Sequence, residues 1–154
     1  MTARILIVDD HEVLREGLKS LLAKARPEWE VCGEATEGAQ AIEKVSELQP
    51  DIVILDISMP GMSGLEAASQ MRKQSVHIPF LIFTTHESDR LEAEVRKCGA
   101  QGYVLKSQAA RNLVLAIDAL LGGGTFFGAP KKSTGEKEKP NSGIVFCRGV
   151  AFAF

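Results

Sequence analysis

An α/β fold is expected for this chain, a doubly wound five-stranded parallel sheet with helices on both faces. Five short β-branched apolar runs each precede a longer segment of helical period, the alternation that a parallel sheet with crossover helices produces. Two of the runs, Ile52-Val53-Ile54-Leu55 and Phe80-Leu81-Ile82-Phe83, are apolar at every position, as strands covered on both faces must be. Pro27, Pro50, Gly99 and Gly122-Gly123-Gly124 fall where helical segments stop.

The first strand occupies residues 4–8, and the helix after it, roughly 12–25, places Val13, Leu14, Leu18, Leu21 and Leu22 on one stripe. The second strand, 29–35, leads to a helix over about 38–48 with Ala41, Ile42, Val45 and Leu48 inward. The third strand, 52–55, is followed by a helix that starts after Ser63-Gly64 and carries Leu65, Ala68 and Met71. The fourth strand, 80–83, precedes a helix from near 88 to 98, with Ser88 as its cap and Gly99 as its stop. The fifth, 102–105, precedes a helix over about 110–121.

At 154 residues with 45% hydrophobic content, the chain suits one domain with a single core. Residues 1–128 carry 13 basic and 18 acidic side chains, so this main body is acidic and is not expected to bind nucleic acid. Cys32, Cys98 and Cys147 are odd in number and in no paired spacing, which points away from a disulfide framework or a zinc site and toward a reducing cytoplasm. The apolar run 5–8 is too brief for a signal peptide or a membrane span, so no membrane association is expected.

Composition shifts after Gly128. Residues 129–140, rich in Lys, Glu, Pro and Ser, read as a solvated linker, and 141–154 as an apolar stretch broken by Arg148-Gly149. The expected organisation is therefore a domain over 1–128 and a linker with a short tail over 129–154. The tail is too short for a helix-turn-helix domain or a bilayer span. A flexible end is favoured over an extra strand or the remnant of a truncated DNA-binding regulator.

Chemistry should sit at the carboxyl ends of the strands, where ligands bind in open α/β sheets. Those ends supply Asp9-Asp10, Asp56, Thr84-Thr85 and Lys106. Three carboxylates repel one another unless a cation neutralises them, and a hard oxygen site with open positions suits Mg²⁺ and a phosphate oxygen. Lys106 adds a point charge for the same anion, a carboxylate can itself become an acyl phosphate, and the Thr84 hydroxyl could hydrogen-bond the new oxygens.

Asp9-Asp10, Leu55-Asp56-Ile57-Ser58-Met59-Pro60-Gly61, Phe83-Thr84 and Gly102-Tyr103-Val104-Leu105-Lys106 resemble, in order and spacing, the signature of response-regulator receiver domains of the CheY-like type, over about residues 3–127. The loop from Met59 to Glu66 and the closing Gly123-Gly124-Thr125-Phe126-Phe127 are similar to the NarL/FixJ subgroup, which normally carries a C-terminal LuxR-type helix-turn-helix. The resemblance implies a flavodoxin-like (βα)₅ fold in which Asp56 takes a phosphoryl group from a histidine kinase or phosphotransfer protein. It further implies Mg²⁺ held by Asp9, Asp10, Asp56 and the backbone carbonyl of Ser58. Lys106 would pair with the phosphoryl group, Thr84 would swing toward it, and Tyr103 would turn inward, remodelling a surface for a downstream protein partner or a homodimer. Catalysis would be limited to the domain's own phosphorylation and hydrolysis. Thr85 stands where the family usually has Ala or Gly and, with His86, would modulate access. Ser107 replaces a frequent proline and removes the usual reason for a cis peptide there.

Each residue also has a plainer reading. An Asp-Asp pair after a strand often caps a turn, Asp56 could do the same before Pro60, and a lone Lys106 would be a solvated charge. Thr84 could satisfy a backbone group, and Tyr103 could be a rim aromatic. His11, His77 and His86 show no metal-ligand spacing among themselves. The ordered set of four strand ends favours the functional reading. Two other classes compete: an interaction module that ignores phosphorylation, and a Mg²⁺-dependent phosphohydrolase, which Ser58 disfavours by standing where a second acid would be needed.

Overall fold

The computed structural model describes residues 2–85 and 87–127. Strand β1 (Arg4–Val8) turns Ile5 and Ile7 to one side and Leu6 and Val8 to the other, the period of two that any strand imposes. That alternation divides the interior into two cores. Ile5, Ile7, Ile52, Ile54, Leu81 and Phe83 pack under α1 (Glu12–Ala25) and α5 (Ala109–Leu121). Leu6, Val8, Val53, Leu55, Phe80 and Ile82 pack under α2 (Gly38–Leu48), α3 (Gly64–Lys73) and α4 (Leu91–Lys97).

β2 (Glu30–Ala35), β3 (Ile52–Leu55), β4 (Phe80–Thr84), β5 (Gly102–Leu105) and a short β6 (Phe126–Phe127) complete the sheet in the order β2-β1-β3-β4-β5-β6, every pairing parallel. The order reverses between β1 and β3, so the crossovers leave in opposite directions there and open a crevice at their carboxyl ends.

Several boundaries differ from the sequence expectation. The sheet has six strands, because Phe126–Phe127 pairs with the free edge of β5. β2 starts at Glu30, since the Trp29 N–H closes a turn on the Arg26 carbonyl. β4 runs on to Thr84. α4 is shorter than expected: Arg90 occupies its cap position without a side-chain bond, and Ser88 offers only its carbonyl, to Leu91 N–H. Val13 is 86% exposed, because it lies five residues before Leu18 and falls off the stripe that Leu18 and Leu22 bury. Gly99 does end α4, with φ +90° in the left-handed region. The α3 start is fixed by a capping box in which Ser63 Oγ accepts from Glu66 N–H and Glu66 Oε1 from Ser63 N–H. No cis peptide bond occurs among the described residues. His86 and the expected linker and tail at 129–154 lie outside the described residues.

Candidate functional site

Strand register brings the chemistry together. Val8 pairs with Leu55 and Leu55 with Ile82, so Asp9 and Asp56 leave adjacent strands at the same level, while β4 continues to Thr84, paired with Leu105. Backbone bonds hold both acids: Asp9 N–H donates to the Ala35 carbonyl at 3.0 Å and Asp56 N–H to the Val8 carbonyl at 2.9 Å. Asp9 and Asp56 are 1% and 2% exposed, and Thr84 is buried with them. Beyond β5 a single 3-10 turn, Lys106–Gln108, carries the lysine side chain back over the strand ends.

Lys106 Nζ lies 2.9 Å from Asp9 Oδ2 and 3.3 Å from Asp56 Oδ1. One ammonium thus faces two buried carboxylates. Asp9 Oδ2 meets it as an ion-pair contact without hydrogen-bond geometry, and Asp56 Oδ2 has no hydrogen-bond donor. Burial pushes the Asp56 carboxyl above its ordinary value, Asp9 adds to the rise, and Lys106 and the Ser58 backbone N–H oppose it. Buried polar atoms almost always have a partner, so Asp56 Oδ2, left without a donor at the mouth, marks a place for a cation or a donor.

Asp9, Asp10, His11 and Asp56 each offer a ligand atom, and these lie within 4.8 Å of one another. The donor set fits a divalent cation: three carboxylates, one of them with a buried oxygen that has no donor, and one resident lysine too few to neutralise them. Asp10 is exposed, at the lip of the crevice. Ser58 is exposed in the loop after β3, and Thr85 is exposed at the end of β4.

That loop is shaped by a close approach. Gly64 N–H donates to the Ile57 carbonyl at 3.1 Å, and a Cβ at Gly64 would drive into the backbone carbonyl oxygen of Asp56. Tyr103 lies apart from the acids, half-buried on the β5 face, with its ring edge-on to Phe127 at a centroid separation of 6.3 Å. Arg96 covers the other aromatic, its guanidinium 3.7 Å from the Phe127 ring centroid. Burial raises the Tyr103 phenol's pKa, and Glu92 and Glu87 raise it further.

Of the expected residues, Asp9, Asp10, Asp56 and Lys106 converge on one mouth, with Thr84 at the neighbouring strand end. Tyr103 sits on the adjoining surface. His11 escaped the sequence reading, which weighed the histidines against one another, whereas its partners are the acids next to it in sequence. The sequence marks Gly64 only as a helix start and Phe127 only as part of a closing run; the close packing that gives each its place is invisible before the fold is built.

A doubly wound parallel sheet with paired acids, a strand-end aspartate and a lysine at its switch-point edge defines the receiver class of signalling domains. The chain belongs to the response regulator receiver domain family, whose pattern residues 5–118 match. It is 43% identical over 120 residues to the transcriptional regulatory protein YdfI of Bacillus subtilis, covering 78% of this chain and 55% of that protein. It is 42% identical over 117 residues to the nitrate/nitrite response regulator protein NarL of Escherichia coli, covering 75% and 53%. Its fold superposes on a LuxR-family two-component response regulator from Aurantimonas with a TM-score of 0.78 at 38% identity, covering 82% of this chain and 90% of that one. A LuxR-family DNA-binding response regulator from Staphylococcus aureus gives 0.71 at 30% identity, covering 77% and 98%. The chain spans about half the length of the curated relatives it matches. No helix among the described residues is long and apolar enough to cross a membrane.

Proposed function

We propose that Asp56 is the phosphoacceptor of a two-component signalling step, taking a phosphoryl group from a phosphohistidine on a histidine kinase or phosphotransfer protein. The observation that carries this is the Lys106 ammonium set between two buried carboxylates, with Asp56 Oδ2 left without a donor. An Asp56 oxygen attacks phosphorus, the P–N bond breaks, and its electron pair returns to the donor imidazole, which takes up a proton.

Asp9, Asp10, Asp56 and the carbonyl of Ser58 would hold Mg²⁺, which when bound supplies positive charge to a transferring phosphoryl group. Lys106, already at the mouth, exchanges its carboxylate contacts for the incoming anion. Thr84 supplies a hydroxyl from the adjacent strand end, and the exposed Thr85 follows it on the approach. The transfer adds charge to a buried carboxyl, and the surface around Tyr103 carries the response to a downstream protein or a second copy of the domain. Residues 1–128 are assigned to this receiver and 129–154 to a linker and tail. The domain signals rather than turning over external substrates.

Incubation of the full chain with Mg²⁺ and a small-molecule phosphodonor such as acetyl phosphate tests this. Stoichiometric, base-labile phosphate is expected on the native protein and none on Asp56→Asn. Equal labelling of both, or turnover of a phosphomonoester by the native protein, would contradict it.

A further inference from the structure

His11 has no part in the phosphoryl chemistry above, yet its imidazole stands among the acids. Its Nδ1 lies 3.1 Å from Asp9 Oδ1 and 3.1 Å from Asp10 Oδ1. Two donors on neighbouring corners of an octahedral ion with bonds of about 2.1 Å stand about 3 Å apart, so Nδ1 already stands from each of these oxygens at the length of one edge of a small cation's shell. The backbone explains how the ring reaches them. His11 is the N-cap of α1 in extended conformation, φ −98° and ψ 108°, and its side chain caps no helix amide, so the ring is free to turn over the end of β1.

A second observation, independent of the ring, points to a cation at the same place. Asp56 is nine-tenths or more buried and its Oδ2 has no hydrogen-bond donor, the equally buried Asp9 Oδ2 has the Lys106 ammonium beside it, and ligand atoms of both acids lie within 4.8 Å of those of Asp10 and His11. With Asp10, these acids make a hard site suited to Mg²⁺, but an imidazole nitrogen is a borderline donor. Among first-row divalent ions such a donor raises affinity toward the later metals, while Mg²⁺ gains little from nitrogen.

We propose that His11 is a nitrogen ligand of this site and that it shifts metal preference from Mg²⁺ toward first-row transition ions, for which Mn²⁺ is the octahedral paramagnetic probe. The inference rests on the reading of the acids as a divalent-cation site, and it adds the chemical class of the cation and the residue that sets it. The contrasting account is that the imidazole serves only as a hydrogen-bond clip, its Nδ1–H shared by two carboxylates. The two accounts differ in what happens when metal arrives: a ligand bonds to the ion, whereas a clip has no bond to it.

Pulsed electron paramagnetic resonance of the full chain loaded with Mn²⁺ separates them. Imidazole ¹⁴N modulation is expected in the native protein and absent in both His11→Ala and His11→Ser, the latter retaining a side chain able to cap the helix. In titration calorimetry both variants should lose roughly tenfold or more in Mn²⁺ affinity, since even outer-shell partners of a metal commonly contribute that much. Mg²⁺ affinity should change far less, so the Mn²⁺ to Mg²⁺ preference falls. Mn²⁺ bound without nitrogen modulation, or with the same preference in the variants, would overturn the role of His11 while leaving the acidic site intact. Failure of both ions to bind the native protein would overturn the acidic site as well.

Discussion

The ammonium of Lys106 lies 3.3 Å from Oδ1 of Asp56 while also contacting Asp9, so one cation serves two anions in a water-poor crevice. Removing it leaves both carboxylates buried without a counter-charge, a change that typically costs roughly 3 kcal/mol or more. Lys106→Met is expected to lower stability by about that amount at neutral pH, read by urea denaturation without divalent ions. Adding Asp56→Asn to Lys106→Met should restore part of the loss, because a single acid remains. Additive effects of the two substitutions would show that the lysine and Asp56 do not interact.

Asp56 itself disfavours folding when charged. Its folded pKa is raised above the ordinary 3.8, so the penalty is fully present above the raised value, shrinks as pH falls through it, and is gone below the unfolded value. Asp56→Asn is therefore expected to stabilise the metal-free protein at pH 7 by an amount on the order of 1 kcal/mol, and the gain should fade toward pH 4. Denaturation midpoints of both proteins across that range check the sign; a gain that grows on acidification would contradict the burial argument.

Glu34 runs in the opposite direction. Its carboxylate accepts from Lys19 Nζ and Arg15 Nε, each at 2.7 Å, and these partners hold its pKa below the ordinary 4.5. The stability it contributes is present above that value and is lost as pH falls through the lowered one. Glu34→Gln should cost a few tenths of a kcal/mol at pH 7, since the pair is partly solvated, and nothing measurable at pH 2 to 3. Unfolding midpoints at the two pH values decide it.

Two glycines mark close approaches that a methyl group would disrupt in different ways. Gly64→Ala would press on the Asp56 carbonyl and move the acceptor, so a loss of about 2 kcal/mol and of most phosphorylation rate is expected. Gly102→Ala would press on the Phe126 backbone and push β6 off the sheet edge. Hydrogen exchange should then show the Phe126 amide, which donates to the Gln101 carbonyl, losing protection while the Asp56 amide keeps it. Undiminished protection of the Phe126 amide in Gly102→Ala would mean that β6 stays on the sheet edge and that the close approach does not set its place.

Much of this was legible from residue order. β1 and β3 announce themselves because β-branched runs bounded by turn residues have few other uses, and Asp9, Asp56, Thr84 and Lys106 follow from placing chemistry at strand ends. The misreadings share a cause: local signals were weaker than contacts made across the fold. Ser88 has the chemistry of a helix cap, yet α4 starts three residues later. β6 is two phenylalanines after a glycine run, too short for any alternation to show, and it exists because β5 offers an unpaired edge. His11 belongs to the acids because an extended cap residue points its side chain back along the strand end, a direction no spacing rule carries.

Asp56 alone is expected to bear the transferred group. Trapping the acyl phosphate with borohydride after treatment with acetyl phosphate and Mg²⁺, then sequencing peptides by mass spectrometry, reads this directly. The reduced product, homoserine, is expected at position 56, with unmodified aspartate at positions 9 and 10. Reduction at either of those positions, or none anywhere in a protein that has consumed the donor, would contradict it.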